Sequence, residues 1–522
     1  MNCRTVLSVV AVWLVLAAMP ALARTPIVSS QARAAVAEAG QVRVMVSLRP
    51  RPAFSRQGPS SIRALRMAQV EAVSGSVLDS MPSGSHQLRR RFALVPALAM
   101  NVDARGLAAL ERHPEVMAVD VDTGGSIGGT VAVDEASRVN GVAGLHVLGL
   151  GGHGRKVAVI DSGVDLDHPD LAGRLVDEAC FCSPMDGGGG CCPNGAATQT
   201  GPGAAADDLG HGSNVAGIIV GQGGIAPRGA VPDAGLVAVK VISADGRYCC
   251  ASDVVAAMDW VAVMHPDVAA VNLSLGSDDT FAGHCDASTA WTRGLATAID
   301  ALRANGAVVT VSTGNQGNTQ QIQAPACIRN ALSVAATWDA DLGPVNGFLG
   351  CDESSTAARK PACFSNRSAT TDLFAAGAFV TSTGHTGGQS VYGGTSQAAP
   401  MAAACAVALA QAAPMATVAQ RMDAMVLSTT RIDDPASGRI YPFLDCRDAV
   451  ALLNPQAIGP LHRNGARPLL PPLLAPAASP QPEVSSQPGT STVTWTAGRA
   501  GTSRAKGSVP RLRPQDSVSG QR

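Results

Sequence analysis

The chain has 522 residues, of which 46% are hydrophobic and 15% charged, so it is long and apolar enough for one large core with smaller appended units. The formal net charge is only −1, but it is unevenly divided: residues 131–455 carry 17 basic and 30 acidic side chains (−13), residues 40–122 carry 11 and 7 (+4), and residues 456–522 carry 8 and 2 (+6). An acidic middle segment between basic ones argues against a nucleic-acid-binding protein.

The N-terminus has the pattern of an export signal. Arg4 precedes an apolar run from Val6 to Ala18, and Ala21-Leu22-Ala23 matches a small-residue cleavage site. The alternative, a membrane anchor, is disfavoured because the run is shorter than the roughly 20 residues of a spanning helix. We therefore predict a signal peptide over residues 1–23, a secreted (extracellular or periplasmic) protein, and no stable membrane anchor.

A small α+β unit is predicted over about residues 40–122. Apolar residues alternate with others from Val42 to Leu48, which is the period of a half-buried strand. Residues 93–102 and 116–121 form two further apolar runs, and Asp103 can cap a helix between them.

Downstream, apolar runs typical of buried strands alternate with helical segments. The predicted strands are Lys156–Ile160, Gly235–Val241, Val268–Ser274, Ala307–Val311 and Ala331–Ala336. The predicted helices are His211–Val220, Ala251–Met264, Ala290–Asn305 and Ser396–Ala412. This alternation predicts an α/β fold with a mainly parallel sheet and helices on both faces.

Three chemically matched residues lie at the ends of these predicted elements. Asp161 follows a strand, His211 opens a helix and Ser396 opens another. A serine hydroxyl becomes a nucleophile when a histidine removes its proton, and a buried carboxylate orients that histidine. Asn315 could donate to the oxyanion that forms. Singly, each could be a turn or capping residue, but together they predict an acylating serine hydrolase.

The order Asp, His, Ser and the neighbouring residues resemble the subtilisin-type serine proteases, or subtilases, over roughly residues 131–455. The motifs that carry the resemblance are Asp161-Ser162-Gly163, His211-Gly212, Gly394-Thr395-Ser396, Val271-Asn272-Leu273-Ser274-Leu275-Gly276 and Phe364-Ser365-Asn366. The resemblance implies a parallel α/β sandwich and endopeptidase activity through an acyl-enzyme. The substrate-binding residues expected from these motifs are Ser274, Leu275, Gly276, Ser312, Thr313 and Gly314.

Some positions depart from the family pattern. Asn214 stands where a second histidine is common, and Gln397 and Met401 replace the usual residues around the serine motif. Many subtilases bind calcium, but the loop 221–230 lacks the asparagine-rich stretch that supplies one such site. We expect no required cofactor; calcium is left open without support from the sequence.

The unit upstream resembles a subtilisin-type prodomain, which implies an intramolecular inhibitor. The alternative is an independent binding module. We predict a propeptide over residues 24–130 and a subtilisin-like catalytic domain over 131–455, with autocleavage between Asp122 and Val133. Ten prolines fall in residues 456–522, and a tail of this composition is predicted to be disordered.

Cysteine usage agrees with export. Of 13 cysteines, Cys3 lies in the predicted signal and the others between Cys180 and Cys446, which predicts disulfides but not their connectivity. The best candidate pairs are Cys285 with Cys327 and Cys351 with Cys363. Cys180, Cys182, Cys191 and Cys192 could instead bind a metal, although we expect no metal site. Cys405 is expected to be a buried free thiol.

These observations predict a secreted serine endopeptidase made as an autoprocessed proenzyme and acting as a monomer on proteins or peptides. Two alternatives remain: a catalytically silent subtilase-like binding protein, and a processing protease dedicated to one partner.

Overall fold

The structure is a computed structural model that describes residues 27–49, 59–126, 136–184, 188–427 and 430–457. The predicted signal peptide, most of the predicted tail and residues 127–133 of the predicted cleavage segment lie outside the described residues. The helices are α1 (Ser30–Ala39), α2 (Pro59–Asp79), α3 (Ala104–Arg112), α4 (Ala136–Val139), α5 (His211–Val220), α6 (Ala251–Met264), α7 (Ala290–Ala304), α8 (Thr395–Ala412), α9 (Val418–Val426) and α10 (Cys446–Leu453).

The strands are β1 (Gln41–Leu48), β2 (His86–Arg91), β3 (Ala97–Asp103), β4 (Val116–Val121), β5 (Gly125–Ser126), β6 (Lys156–Asp161), β7 (Leu175–Phe181), β8 (Thr198–Thr200), β9 (Gly235–Lys240), β10 (Arg247–Tyr248), β11 (Ala270–Leu273), β12 (Gly276–Ser277), β13 (Thr280–Phe281), β14 (Val308–Ser312), β15 (Ile322–Gln323), β16 (Leu332–Thr337), β17 (Val345–Phe348), β18 (Cys351–Glu353), β19 (Leu373–Ala376), β20 (Val380–Thr383), β21 (Gln389–Tyr392), β22 (Arg431–Asp434) and β23 (Arg439–Pro442). The predicted strands and helices of the main segment are all present, with ends shifted by up to two residues.

An eight-stranded sheet in the order β19-β16-β14-β11-β6-β9-β7-β8 forms the centre of the molecule. Its strands are parallel except β8, which pairs antiparallel with β7. Side chains of β6 alternate between two buried clusters: Val157 and Val159 face the cluster of α5 and α8, and Ala158 and Ile160 face that of α6 and α7. The predicted fold class, a mainly parallel sheet with helices on both faces, is confirmed.

Residues 27–49 and 59–122, here called the N-terminal unit, form a second, antiparallel sheet in the order β2-β3-β1-β4. Helices α1, α2 and α3 accompany it. Asp103 caps α3 as predicted, since its side chain accepts the backbone N–H groups of Arg105 and Gly106. Helices α1 and α2 and strand β2 were not predicted from the sequence.

Strand β1 of the N-terminal sheet is buried on both faces from Val44 to Leu48, unlike the half-buried strand that its alternation predicts. Val44 and Val46 lie in the unit's own core, as expected. Met45 is also fully buried, because it contacts the α6–α7 face of the main unit, residues 136–457. The sequence pattern of β1 was therefore read correctly as a strand, but its second face is an interface.

Strand β5 carries the chain from the N-terminal unit into a groove of the main unit. It pairs antiparallel with β10 on one side and with β12 on the other, so that Ser126 lies opposite both Arg247 and Gly276. Two short edges of the main unit thus accept an extended segment of the chain.

Disulfides link the cysteines that the structure describes. The pairs are Cys180–Cys192, Cys182–Cys191, Cys249–Cys250, Cys285–Cys327, Cys351–Cys363 and Cys405–Cys446. Both candidate pairs from the sequence are among them, and the four cysteines for which metal binding was the alternative form two nested disulfides. The expectation of a free thiol at Cys405 was wrong, because packing of α10 against α8 brings Cys446 to a Cα separation of 5.6 Å.

Within the described ranges, no helix combines the length and apolar character needed to cross a membrane.

Candidate active site

Asp161 and His211 meet at the carboxyl edge of the central sheet, in a fully buried contact. The Asp161 Oδ1 atom lies 2.7 Å from His211 Nδ1. An ionised carboxylate only accepts hydrogen bonds, so this contact places the imidazole proton on Nδ1 and leaves the lone pair on Nε2. Among the described residues, His211 Nε2 has no hydrogen-bond partner.

Close packing at Gly212 fixes how α5 approaches the sheet. A Cβ atom at this position would lie 2.0 Å from the carbonyl oxygen of Gly163. Only glycine allows this approach, which sets the first turn of α5 directly on the loop after β6. The histidine that opens α5 is thereby held against the aspartate that ends β6.

Ser396 lies in the first turn of α8, where it contacts Ser274 in the connection between β11 and β12. Its hydroxyl donates to the carbonyl oxygen of Ser274 at 3.2 Å, and the Ser274 hydroxyl donates to the Ser396 carbonyl at 2.7 Å. Ser396 thus lies at the positive end of the α8 dipole. Such an environment favours negative charge on an atom bound there.

Asn315 is held beside the start of α8. Its Oδ1 atom accepts both the backbone N–H and the hydroxyl of Thr395, each at 2.9 Å. With its oxygen engaged, the amide Nδ2 group remains as a donor, and it lies against Gly394, where a Cβ atom would be 3.1 Å away. Asn315 and Ser396 therefore lie close together at the start of α8.

The residues predicted to bind substrate lie together around this space, but their side-chain hydrogen bonds are internal. The Ser312 hydroxyl donates to Leu275 O at 3.3 Å, and the Thr313 hydroxyl donates to Asn366 O at 2.7 Å. Gly314 has φ of +107°, and its backbone N–H donates to the Thr395 hydroxyl oxygen at 3.1 Å. Gly276 differs, since it belongs to the β12 edge that pairs with β5. Main-chain groups thus line the groove.

Sequence comparisons with known proteins agree on one family. The subtilase family model matches residues 152–444, more than half of the chain. Subtilisin E from Bacillus subtilis (strain 168) is 29% identical over 66% of this chain and 78% of its own length. An alkaline protease from Alkalihalobacillus alcalophilus is 30% identical over 63% and 72%. A crystal structure of a cold adapted subtilisin-like serine proteinase covers 56% of this chain and 89% of its own, with 24% identity and a TM-score of 0.41.

The chain belongs to the subtilase family. It is therefore a serine peptidase, as the sequence predicted from the order of its Asp, His and Ser motifs. The catalytic roles of Asp161, His211 and Ser396, and the oxyanion role of Asn315, stay predictions for which the geometry above gives the basis.

Sequence reasoning missed a second carboxylate in this subtilase, Asp207, which organises the loop before α5. It accepts the Ser162 hydroxyl at 2.8 Å, the Ser213 hydroxyl at 2.6 Å and the N–H groups of Leu209, Gly210 and Ser213. Burial acts to raise the pKa of Asp207, but these hydrogen bonds outweigh it and leave the pKa lowered. The only sequence signal was the acidic pair Asp207-Asp208 shortly before the histidine motif.

Two other residues of the site were also missed. Tyr392 packs edge-on against the His211 ring, with centroids 5.5 Å apart. Its pKa is raised mainly by burial and, to a smaller extent, by the negative charges of Asp207 and Asp161. Lys240 is fully buried, and its ammonium donates to the carbonyls of Ser162 and Ile242 and to Asp208. Neither a lone tyrosine nor a strand-end lysine stands out in a sequence.

The loop after α5 does not fit calcium at Asp170. The Asp170 carboxylate accepts three backbone N–H groups from Gly224, Ile225 and Ala226 at 2.6 to 2.9 Å. A cradle of donors stabilises the anion without a cation. Elsewhere in the described ranges, Cys249, Cys250 and Asp253 are close enough to share an ion, but the two sulfurs are joined to each other.

Proposed function

We propose that this subtilase is a secreted serine endopeptidase that forms an acyl-enzyme on Ser396 and is made with its own inhibitor upstream. The observation that carries the proposal is the buried Asp161–His211 pair with a free Nε2, on a helix that contacts the start of α8 where Gln397, the residue after Ser396, donates to Asn214 at 3.3 Å. Export is supported by the disulfides, which persist in oxidising compartments.

In the proposed reaction, the Ser396 hydroxyl attacks the carbonyl carbon of a peptide bond while His211 Nε2 accepts its proton. The Asp161 carboxylate holds Nδ1–H and stabilises the imidazolium. The Asn315 amide and the Ser396 backbone N–H donate to the oxyanion. His211 then returns the proton to the leaving amine, and water releases the acyl group by the same steps in reverse.

The arrangement of β5 supports an intramolecular inhibitor. Strand β5 lies between β10 and β12 and pairs with both of them. An extended peptide substrate would pair in the same way, since main-chain hydrogen bonds do not depend on the peptide's sequence. In this arrangement the chain competes with substrate for the groove. The N-terminal unit reinforces it, because Asp120 accepts the first N–H of α7 and Asp122 accepts an N–H of α6.

The test compares the wild type with Ser396→Ala, both exported from a protease-deficient host through an oxidising pathway. We expect the wild type to lose the segment up to about residue 130 and to cleave a mixed peptide library. The variant should remain full length and lose at least about a thousandfold of the activity. Intact mass and the new N-terminus report processing, and product sequencing reports endopeptidase cleavage.

Three results would contradict parts of the proposal. An unprocessed wild type that does not react with a fluorophosphonate probe would favour a silent binding protein. Equal processing of both proteins would assign maturation to another protease. Cleavage of only one sequence in the library would favour the dedicated processing enzyme.

A further inference from the structure

One arginine side chain of the N-terminal unit, that of Arg90, lies in a pocket formed by groups of the main unit. The guanidinium of Arg90 lies 2.7 and 3.1 Å from Asp253 Oδ1 and 2.8 Å from the carbonyl oxygen of Ala197, and it donates to the Thr198 hydroxyl. The Phe181 ring faces it at 5.5 Å. Carboxylate, carbonyl, hydroxyl and aromatic face are the groups that a guanidinium prefers.

Every group of this pocket belongs to the main unit, whereas the arginine does not. Phe181 and Thr198 come from the β7–β8 hairpin, which the two nested disulfides brace. Asp253 comes from the first turn of α6. Its carboxylate is held in place by the backbone N–H of Ser183 at 2.7 Å and by the Ser183 hydroxyl at 3.1 Å. The pocket therefore persists when the N-terminal unit leaves.

Loss of the N-terminal unit would leave Asp253 without its cations. Its side chain is fully buried and contacts two guanidinium groups, Arg90 at 2.7 Å and Arg43 at 3.7 Å. Both arginines belong to the N-terminal unit, which is removed in the proposed autoprocessing. The freed carboxylate could then accept hydrogen bonds from another guanidinium, with the Phe181 ring beside it.

The pocket lies next to the path of the bound segment. Asp253 follows Ala251 and Ser252, whose N–H groups bind the Thr123 carbonyl and the Asp122 carboxylate. In the bound segment, Thr123 and Asp122 come three and four residues before Ser126, which pairs with Gly276. A substrate bound in the same register would place two of its residues where Thr123 and Asp122 lie. The Asp122 position is close to Asp253, because the single guanidinium of Arg43 lies 2.8 Å from Asp122 and 3.7 Å from Asp253. An arginine at that position of a substrate is therefore long enough to reach Asp253.

We propose that Asp253, Ala197, Thr198 and Phe181 form a guanidinium-binding subsite that selects arginine on the N-terminal side of the scissile bond. Arg90 fills this subsite in the precursor. The inference rests on the proposed function, since the subsite opens only when the N-terminal unit is released.

The test uses the processed enzyme and peptides that share one cleaved sequence. Arginine is moved through each position before the scissile bond and compared with citrulline, which has the same shape without the charge. At one position we expect arginine to raise kcat/KM about ten- to a hundredfold over citrulline, the range for a hydrogen-bonded charge pair. In Asp253→Asn the ratio should fall to near one.

Asp245→Asn is the matched control, because it removes the same charge from an exposed site near β10; it should keep the ratio. Thr198→Val removes one acceptor without touching the buried carboxylate and should lower the ratio severalfold, which preserves the test if Asp253→Asn does not fold. A ratio near one at every position in the wild type, or an unchanged ratio in Asp253→Asn, would overturn the inference. If no peptide is cleaved at all, the proposed function itself fails, and the subsite with it.

Discussion

At the scale of single residues, the site depends on buried polar groups that are satisfied by many short contacts. Asp207 illustrates this, because it binds the loop after β6 through Ser162 and the first turn of α5 through Ser213. Gly212 N–H in turn donates to the Ser162 hydroxyl at 2.8 Å. The Asp161–His211 geometry is therefore maintained by a network that does not itself touch the reacting atoms.

The change Asp207→Ala should destabilise the fold by about 3 kcal/mol at neutral pH, because it leaves several buried donors without an acceptor. Since the pKa of Asp207 is lowered from 3.8 in the folded protein, its ionised form contributes stability above that value. The difference between variant and parent should therefore shrink as the pH falls through the lowered folded pKa. Urea unfolding in the Ser396→Ala background, from about pH 6 to about pH 2.5, measures it.

Asp245→Ala serves as the control, since an exposed loop substitution should change stability by no more than about 0.5 kcal/mol. A loss at Asp207 that stays constant down to the lowest pH would contradict the assignment of a stabilised anion.

At the scale of elements, helix α8 connects the nucleophile to the rest of the core. It packs against β11, β14 and β16 on one side and against α10 on another. The Cys405–Cys446 disulfide joins α8 to α10 across 41 residues of sequence. The bond closes a long loop and so restricts the unfolded chain far from the reactive end of the helix.

Replacing both Cys405 and Cys446 with alanine should lower the free energy of unfolding by about 4 kcal/mol, from the chain entropy of a loop of this length. Peptide hydrolysis per folded molecule should remain, since Cys405 lies nine residues beyond Ser396 (405 − 396) on the helix. Urea unfolding in the Ser396→Ala background and active-site titration in the processed protein measure the two effects. Alkylation of Cys405 in the denatured, non-reduced wild type would disprove the disulfide.

At the scale of the whole molecule, the two units share an interface made of backbone donors and buried acids. Asp259 of α6 accepts the N–H groups of Ala93 and Leu94 at 2.7 and 2.8 Å. Arg43 and Arg90 meet Asp253 from the same side. The opposite net charges of the two segments agree with this contact, although screened surface charge alone stabilises little.

Asp259→Ala should weaken the retention of the N-terminal unit about thirty- to a hundredfold, because two buried N–H groups lose their acceptor. Activity should then follow secretion of the full chain with a shorter delay than in the wild type, measured by hydrolysis of a fluorogenic peptide over time. Asp267→Ala is the control, since Asp267 pairs with Lys156 on the main unit. An unchanged delay in Asp259→Ala would contradict an inhibitory role for this contact.

The amino-acid sequence alone predicts the fold class, the strands and helices of the main segment, the cap at Asp103 and the family. These features depend on local hydrogen bonding, on the period of apolar residues and on the order of the Asp161, His211 and Ser396 motifs. Each can be recognised within a few neighbouring residues. The strand character of β1 was predicted for the same reason.

Four features became apparent only in the folded protein: the burial of Met45, the partner of Cys405, the network of Asp207 and the pocket around Arg90. Each depends on groups that are distant in sequence and meet only when the sheet and its helices pack. A period of apolar residues reports that a face is buried but not what covers it. Disulfide partners and buried ion pairs are likewise selected by the distance between side chains in the folded chain, which local sequence does not encode.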